Sequence, residues 1–278
     1  MNVTDIAKLY NIFHDKRWHD NQGHEIVFSN FCNLLANLTE EQRQLIIELA
    51  ERYTWITYAE YQGKIINAFK KVEDDKLKSL KKIFLFPVMK PEDEDRTKSG
   101  HLLLYLLRAF HQLLPEYKHI NFVEFESYEN LTEANFTIQD GEAIFLLDDY
   151  LGSGETIKAT LDKIFLNRKI EPRHLNVIAI ASQLETFEFI QSIGIAIYAD
   201  HIARKGISDY YTSPLLEEKT QIMLEIEKLI PIKHFSFGFN ESEGLITLAR
   251  TPDNTFPIFW KEHKKNNEKF EAPFARYN

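Results

Sequence analysis

The sequence predicts an α/β protein: a parallel-sheet core, preceded by an N-terminal helical region and followed by a C-terminal segment. Three observations carry this. Short apolar runs at 83–89, 144–147, 175–181 and 195–199 are separated by stretches with helical spacing. The run Ile144-Phe145-Leu146-Leu147 has no polar alternation, as a strand buried on both faces requires. Residues 1–80, by contrast, read as helical. The expected divisions are 1–80, 81–212 and 213–278.

In the first region, Leu38-Thr39-Glu40-Glu41-Gln42 has the form of a capping box, with Thr39 as N-cap and Gln42 reaching back. It opens a helix whose Leu45, Ile46 and Leu49 share a face. A second helix is expected from about Ala59 to Val72. His14, His19 and His24 lack carboxylate or cysteine partners at ligand spacing, so no metal centre is expected there. From Lys64 to Lys82 there are seven lysines, interrupted by Glu73-Asp74-Asp75, which read as a solvated helix end and linker. The single Cys32 has no disulfide partner within the chain and lies in an apolar run, as a buried thiol would.

The core opens at Ile83–Met89, with Pro87 near the strand's end. A polar loop, 90–98, leads to a helix beginning at Ser99-Gly100, with Leu102, Leu103, Leu106, Leu107 and Phe110 on one stripe. Strands are expected at 120–125 and from Ile144, then at 175–181 and 195–199, with a helix at 185–193 between the last two. Repeated alternation of this kind gives right-handed crossovers and puts ligands at the carboxyl ends of the strands. Asp148, Asp149, Ser182, Gln183, Asp200 and His201 lie at such ends; Asp200-His201 reads as polar loop contacts.

The centre of the chain is Ile144 to Thr156: a strand, the acids Asp148 and Asp149, the loop Gly152-Ser153-Gly154-Glu155-Thr156, and a helix carrying Ile157, Leu161, Ile164 and Phe165. Two glycines within three positions let the backbone approach a ligand closely. The helix N-terminus that follows favours a phosphate. Ser153 and Thr156 add hydroxyl donors, and the paired acids can accept from vicinal hydroxyls. Phosphate on one side and a diol on the other describe a ribose 5-phosphate. A nucleoside-triphosphate loop and a dinucleotide fingerprint both fail on glycine spacing, and the former also lacks its lysine. An ordinary capped strand-to-helix turn would use the same residue types.

These residues resemble the phosphoribosyl-pyrophosphate (PRPP) motif of type I phosphoribosyltransferases. The resemblance implies a phosphoribosyltransferase-like core with Gly152, Ser153, Gly154, Glu155 and Thr156 on the 5-phosphate, and Asp148 and Asp149 on the ribose hydroxyls. It implies Mg2+ carried by PRPP near Asp148 and Asp149 rather than by a dedicated metal site. Arg96, Lys98, Ser99 and Gly100 resemble the family's pyrophosphate loop, with Lys98 joining the two acids in catalysis. Two departures stand out. No Lys or Arg occurs between His119 and Ile157, where the family keeps a mobile catalytic loop, although departing pyrophosphate calls for cations. Gly152 occupies the position where purine-specific members often carry an acid, which argues against ordinary purine salvage.

After a helix expected at 217–229, Arg250 offers a bidentate fork, Trp260 a stacking face, and Pro252 and Pro257 stiffen the segment between them. A turn packed by its aromatics is an equal reading. Together with the PRPP motif, the ending Arg250-Thr251-Pro252-Asp253-Asn254-Thr255-Phe256-Pro257-Ile258-Phe259-Trp260 resembles the PRTase-CE family of bacterial conflict systems. That resemblance makes 213–278 a hood-like segment, with Arg250 and Trp260 toward an acceptor, and implies a bacterial defence setting with protein partners from such a system. Residues 261–278 read as a solvated tail.

Composition bounds the rest. A net charge of −9 gives no support to a nucleic-acid partner. No apolar run is long enough to span a bilayer and no leader is visible, so the expected location is cytoplasmic. Two functional readings follow: a transferase moving phosphoribosyl from PRPP to an acceptor, or a binder of PRPP or a nucleotide that acts as a sensor without turnover.

Overall fold

The computed structural model describes residues 2–230 and 234–276. They form two compact units, one of residues 59–202 and one assembled from 1–58 and 203–278. The expected three-part division differs from this. Residues 59–80 go with the sheet because the helix Tyr61–Phe69 turns Ile65, Ala68 and Phe69 fully inward, with Phe69 stacked on Phe145 at 5.3 Å. The two ends of the chain join because Leu45, Ile46 and Leu49 share a core with Ile226, Ile258 and Phe259.

In the 59–202 unit the sheet consists of β1 (Lys82–Pro87), β2 (Asn121–Glu124), β3 (Glu142–Leu151), β4 (Leu175–Gln183) and β5 (Ala196–Ala203). It is a five-strand parallel sheet in the order β2-β1-β3-β4-β5. The register pairs Phe86 with Leu146 across β1 and β3, and Leu147 with Ile178 across β3 and β4. Ile144 to Leu147 are wholly buried, each such side chain contributing about 1.5–3 kcal/mol of transfer free energy. This burial explains the uninterrupted apolar run. The chain leaves β1 outward to β2 and returns to β3 on the other side, so the order reverses between β1 and β3. In an open α/β sheet the crevice beyond the carboxyl ends of two such strands is where ligands bind.

Several boundaries shift. β3 does not end at its acids: Asp148, Tyr150 and Leu151 pair with Ala179, Ala181 and Ser182. β4 runs to Gln183 and pairs with β3 as far as Ser182, which keeps the polar residues in the ladder. β5 likewise runs to Ala203, so Asp200 and His201 lie in a strand rather than a loop. The helix after Ser99 stops at Leu107, and a separate turn, Phe110–Leu113, buries Phe110. The lysines expected to be solvated are largely used by the fold. Lys71 donates to the carbonyls of Ala199 and Asp200, Lys76 to buried Asn176, and Lys82 to Glu142.

The second unit contains the helices Val3–Asp15, His24–Ala36 and Glu40–Arg52, then Leu215–Glu227. The capping box is present as read, with Thr39 and Gln42 each accepting from the other's backbone amide. Cys32 is only half-buried, and burial pushes its thiol pKa up. The expected solvated tail is instead a hairpin, His263–Lys265 with Glu268–Phe270, followed by buried Ala272 and Phe274. Its inward-facing pair is His263 and Phe270, opposite one another across the hairpin: His263 is wholly buried and its ring stacks on Phe270 at 5.4 Å.

Candidate functional site at the carboxyl ends of the sheet

Because side chains alternate along β3, its two acids meet different surroundings. Asp148 is 8% exposed, and its Oδ1 accepts from the Ser99 hydroxyl at 2.8 Å and the Asp149 amide at 2.9 Å. Burial first, and the adjacent Asp149 charge second, raise its pKa well above the usual carboxylate range. Asp149 is more open, and its Oδ2 accepts from the Tyr61 hydroxyl at 2.8 Å. The pair is thus differentiated by its surroundings: an inner carboxyl, buried and bonded to Ser99, and an outer one held by a tyrosine. Tyr61 is fully buried and comes from the helix Tyr61–Phe69, a residue that nothing in the β3 motif announces.

The loop after β3 is shorter than expected. Gly152 to Gly154 form it, and the helix Glu155–Ile164 begins with Glu155 and Thr156 in its first turn. Gly154 is the N-cap at φ +81°, a left-handed conformation that needs glycine. The Thr186 hydroxyl donates to the Gly152 carbonyl at 2.6 Å and lies 3.1 Å from where a Gly154 Cβ would sit, so the loop is fixed from outside the motif as well. Helix N-terminal amides and their macrodipole give this loop the electrostatics of a phosphate cradle. Glu155 brings a negative charge, which Lys90 approaches at 3.3 Å.

The segment after β1 faces the same crevice. Thr160, on the helix Glu155–Ile164, donates to the Met89 carbonyl at 2.8 Å and accepts from its amide, tying the end of β1 to the helix that follows β3. Ser99 and Asp148 are brought together by the hydrogen bond above. Gly100 has a steric role, since a Cβ there would stand 2.6 Å from the Leu147 carbonyl and 2.9 Å from Pro87 Cβ. Its absence lets the helix Ser99–Leu107 begin against the ends of β1 and β3. Arg96 and Lys98, read as the pyrophosphate cations, both pair with Asp93, at 3.0 and 2.8 Å.

Where a mobile loop was expected after β2, Tyr128–Thr132 forms a short helix capped by Ser127. Glu94, Asp95, Glu126 and Glu129 line a cleft of about 670 Å³ beside it, shared with Arg96, His101 and Lys163. Four carboxylates there oppose an unaccompanied diphosphate. Among the described residues no cluster of three or more His, Cys, Asp or Glu is arranged to hold a metal ion. Asp200 accepts an ion pair from Lys64 at 2.9 Å, which gives it a structural partner.

In the other unit Arg250 is exposed, but Trp260 is 3% exposed. Its indole N–H donates to the Thr255 carbonyl at 2.7 Å, and Phe235 packs edge-on against its ring at 5.6 Å. Trp260 is therefore a core side chain, and the expectation that it stacks on an acceptor is corrected. The equal reading of this segment, a turn packed by its aromatics, is the one that its burial fits.

Among the described residues no helix is long and apolar enough to cross a membrane. A family model described as PRTase-CE matches residues 17–276. No curated protein matches the chain.

Proposed function

Since the chain belongs to the PRTase-CE family, a phosphoribosyltransferase-like family, we propose that residues 148–156 bind PRPP or a nucleotide 5-phosphate, and that the protein transfers phosphoribosyl to an acceptor. The observation that carries this reading is the coincidence, at the strand-order reversal, of a glycine-capped helix N-terminus with a differentiated acid pair. In it, the amides of Gly154 to Thr156 and the hydroxyls of Ser153 and Thr156 hold the 5-phosphate. Asp149, aligned by Tyr61, accepts from the ribose diol and would share Mg2+ with the ligand's diphosphate. That fits a cation held by one or two carboxylates plus phosphates. Bound there, Mg2+ would supply charge neutralisation for the departing pyrophosphate. Asp148, buried and anchored to Ser99, fixes the strand end. A bacterial defence setting belongs to the same proposal and rests on the resemblance alone, while a cytoplasmic location is proposed from the sequence's lack of an apolar run long enough to span a bilayer.

A specific observation favours a second reading, in which the protein binds its ligand as a sensor without turnover. Lys98 and Arg96 are spent on Asp93, and carboxylates line the neighbouring cleft. Pyrophosphate release from Mg-PRPP, measured over a panel of bases, nucleosides and proteins, separates the two. Release that depends on one acceptor and falls about tenfold or more in Lys98→Ala supports the transferase. Tight binding with no release under any acceptor leaves the sensor.

A further inference from the structure

A second cleft, of about 480 Å³, lies within the unit formed by 1–58 and 203–278. That volume suits a small molecule. Its floor follows from chain pairing. Thr54–Trp55 runs parallel to Ile246–Thr247, with Trp55 in register with Thr247. The chain then continues through Leu248 and Ala249 to Arg250 on the rim. The opposite wall is Pro273 to Arg276, held by the Thr251 hydroxyl on the Phe274 carbonyl at 2.9 Å and by the Arg276 amide on the Trp260 carbonyl at 3.1 Å. Phe274 stacks on Tyr53 at 4.6 Å with an interplanar angle of 7°, so this wall is anchored in the core.

Within this frame the polar groups sort themselves. The hydroxyls of Tyr53, Thr247 and Thr251 hydrogen-bond to one another and to backbone, which absorbs them into the wall. The guanidinium groups of Arg250 and Arg276 are the cations that line the cleft. Asp253 orients Arg276 at 3.3 Å, and an arginine's five donors leave others for a ligand. Trp55 is half-buried, its ring 5.2 Å from that of Phe274, and it also lines the cleft. A half-covered indole and two arginines lining one cleft, in a protein of net charge −9, are a local arrangement for a planar ring joined to an anion.

We propose that this cleft is a second ligand site, taking a nucleoside monophosphate with its base against Trp55 and its phosphate on Arg250 and Arg276. It recasts the role of Arg250: its aromatic companion is Trp55, not Trp260. The site is independent of the strand-end site and of whether that site turns over.

The test uses the full chain carrying Asp149→Asn and Gly154→Ala, which disable the strand-end site, titrated calorimetrically with adenosine 5′-monophosphate, adenosine and inorganic phosphate. The monophosphate is expected to bind one site, with adenosine and phosphate each at least tenfold weaker. Adding Arg250→Ala, an exposed substitution that leaves the core intact, is expected to weaken the monophosphate at least tenfold. Tryptophan emission is expected to change on binding and to lose most of that response in Trp55→Phe, since Trp55 is the indole that lines the cleft. Absence of binding in the disabled background, binding indifferent to Arg250→Ala, or phosphate binding as tightly as the monophosphate overturns the proposal. Failure of the strand-end reading shows separately, as absence of PRPP binding to the unaltered protein.

Discussion

Asp148 and Asp149 are identical residues in consecutive positions, yet the fold buries the first and leaves the second partly open, and the burial that raises the Asp148 pKa has a measurable consequence. The native state keeps the Asp148 proton to a higher pH than the unfolded chain does. Stability is therefore full below the ordinary carboxylate pKa and falls as pH rises toward Asp148's raised value. Asp148→Asn should flatten that fall, read as the urea midpoint against pH; an unchanged profile contradicts a protonated Asp148. Tyr61→Phe removes the hydroxyl that aligns Asp149 and should weaken PRPP binding by about 1–2 kcal/mol with little change in fold, measured by calorimetry and circular dichroism. The acids and glycines could be read from the sequence because strand, turn and helix terminus are local constraints. Tyr61 and Thr186 could not, lying 88 and 34 residues from their partners, where neither periodicity nor spacing connects them.

At the scale of elements, two glycines at the sheet's end carry different loads. Gly154→Ala puts a side chain in a left-handed conformation, costing about 1–2 kcal/mol, and should lower PRPP affinity through the moved amides. Gly100→Ala drives a methyl into the Leu147 carbonyl and should destabilise by about 1–3 kcal/mol, seen as a lower melting temperature. The resemblance puts Gly100 in a ligand loop, and its packing role emerges only once the helix is docked. The hairpin His263–Lys265 with Glu268–Phe270 makes a third prediction. Burial lowers the His263 pKa from 6.5 to about 4, so its stabilising effect is complete above 6.5 and is lost as pH falls toward 4. Phenylalanine at 263 should remove that acid-side loss. The hairpin is hidden in the sequence because its lysines and glutamates dominate the composition while only His263 and Phe270 carry its inward face.

Across the whole molecule, the parallel sheet and the α/β alternation followed from pattern, whereas the strand order and the division into units did not. A unit assembled from both ends of the chain depends on which apolar faces meet, and those faces carry no address in the sequence. Each unit has its own buried core, one around Phe31, Leu45 and Phe259 and one around Phe86, Leu146 and Val177. The cations expected at the pyrophosphate position are present in sequence but engaged by Asp93, a pairing that composition alone does not reveal. The central claim is that the β3 end and its glycine-capped helix hold a ribose 5-phosphate. Its most direct test is calorimetric titration of the full chain with Mg-PRPP, beside Asp149→Asn and Gly154→Ala. Saturable binding to the unaltered chain, weakened at least tenfold in both variants, is the predicted result; no binding, or binding that both substitutions leave untouched, would contradict it.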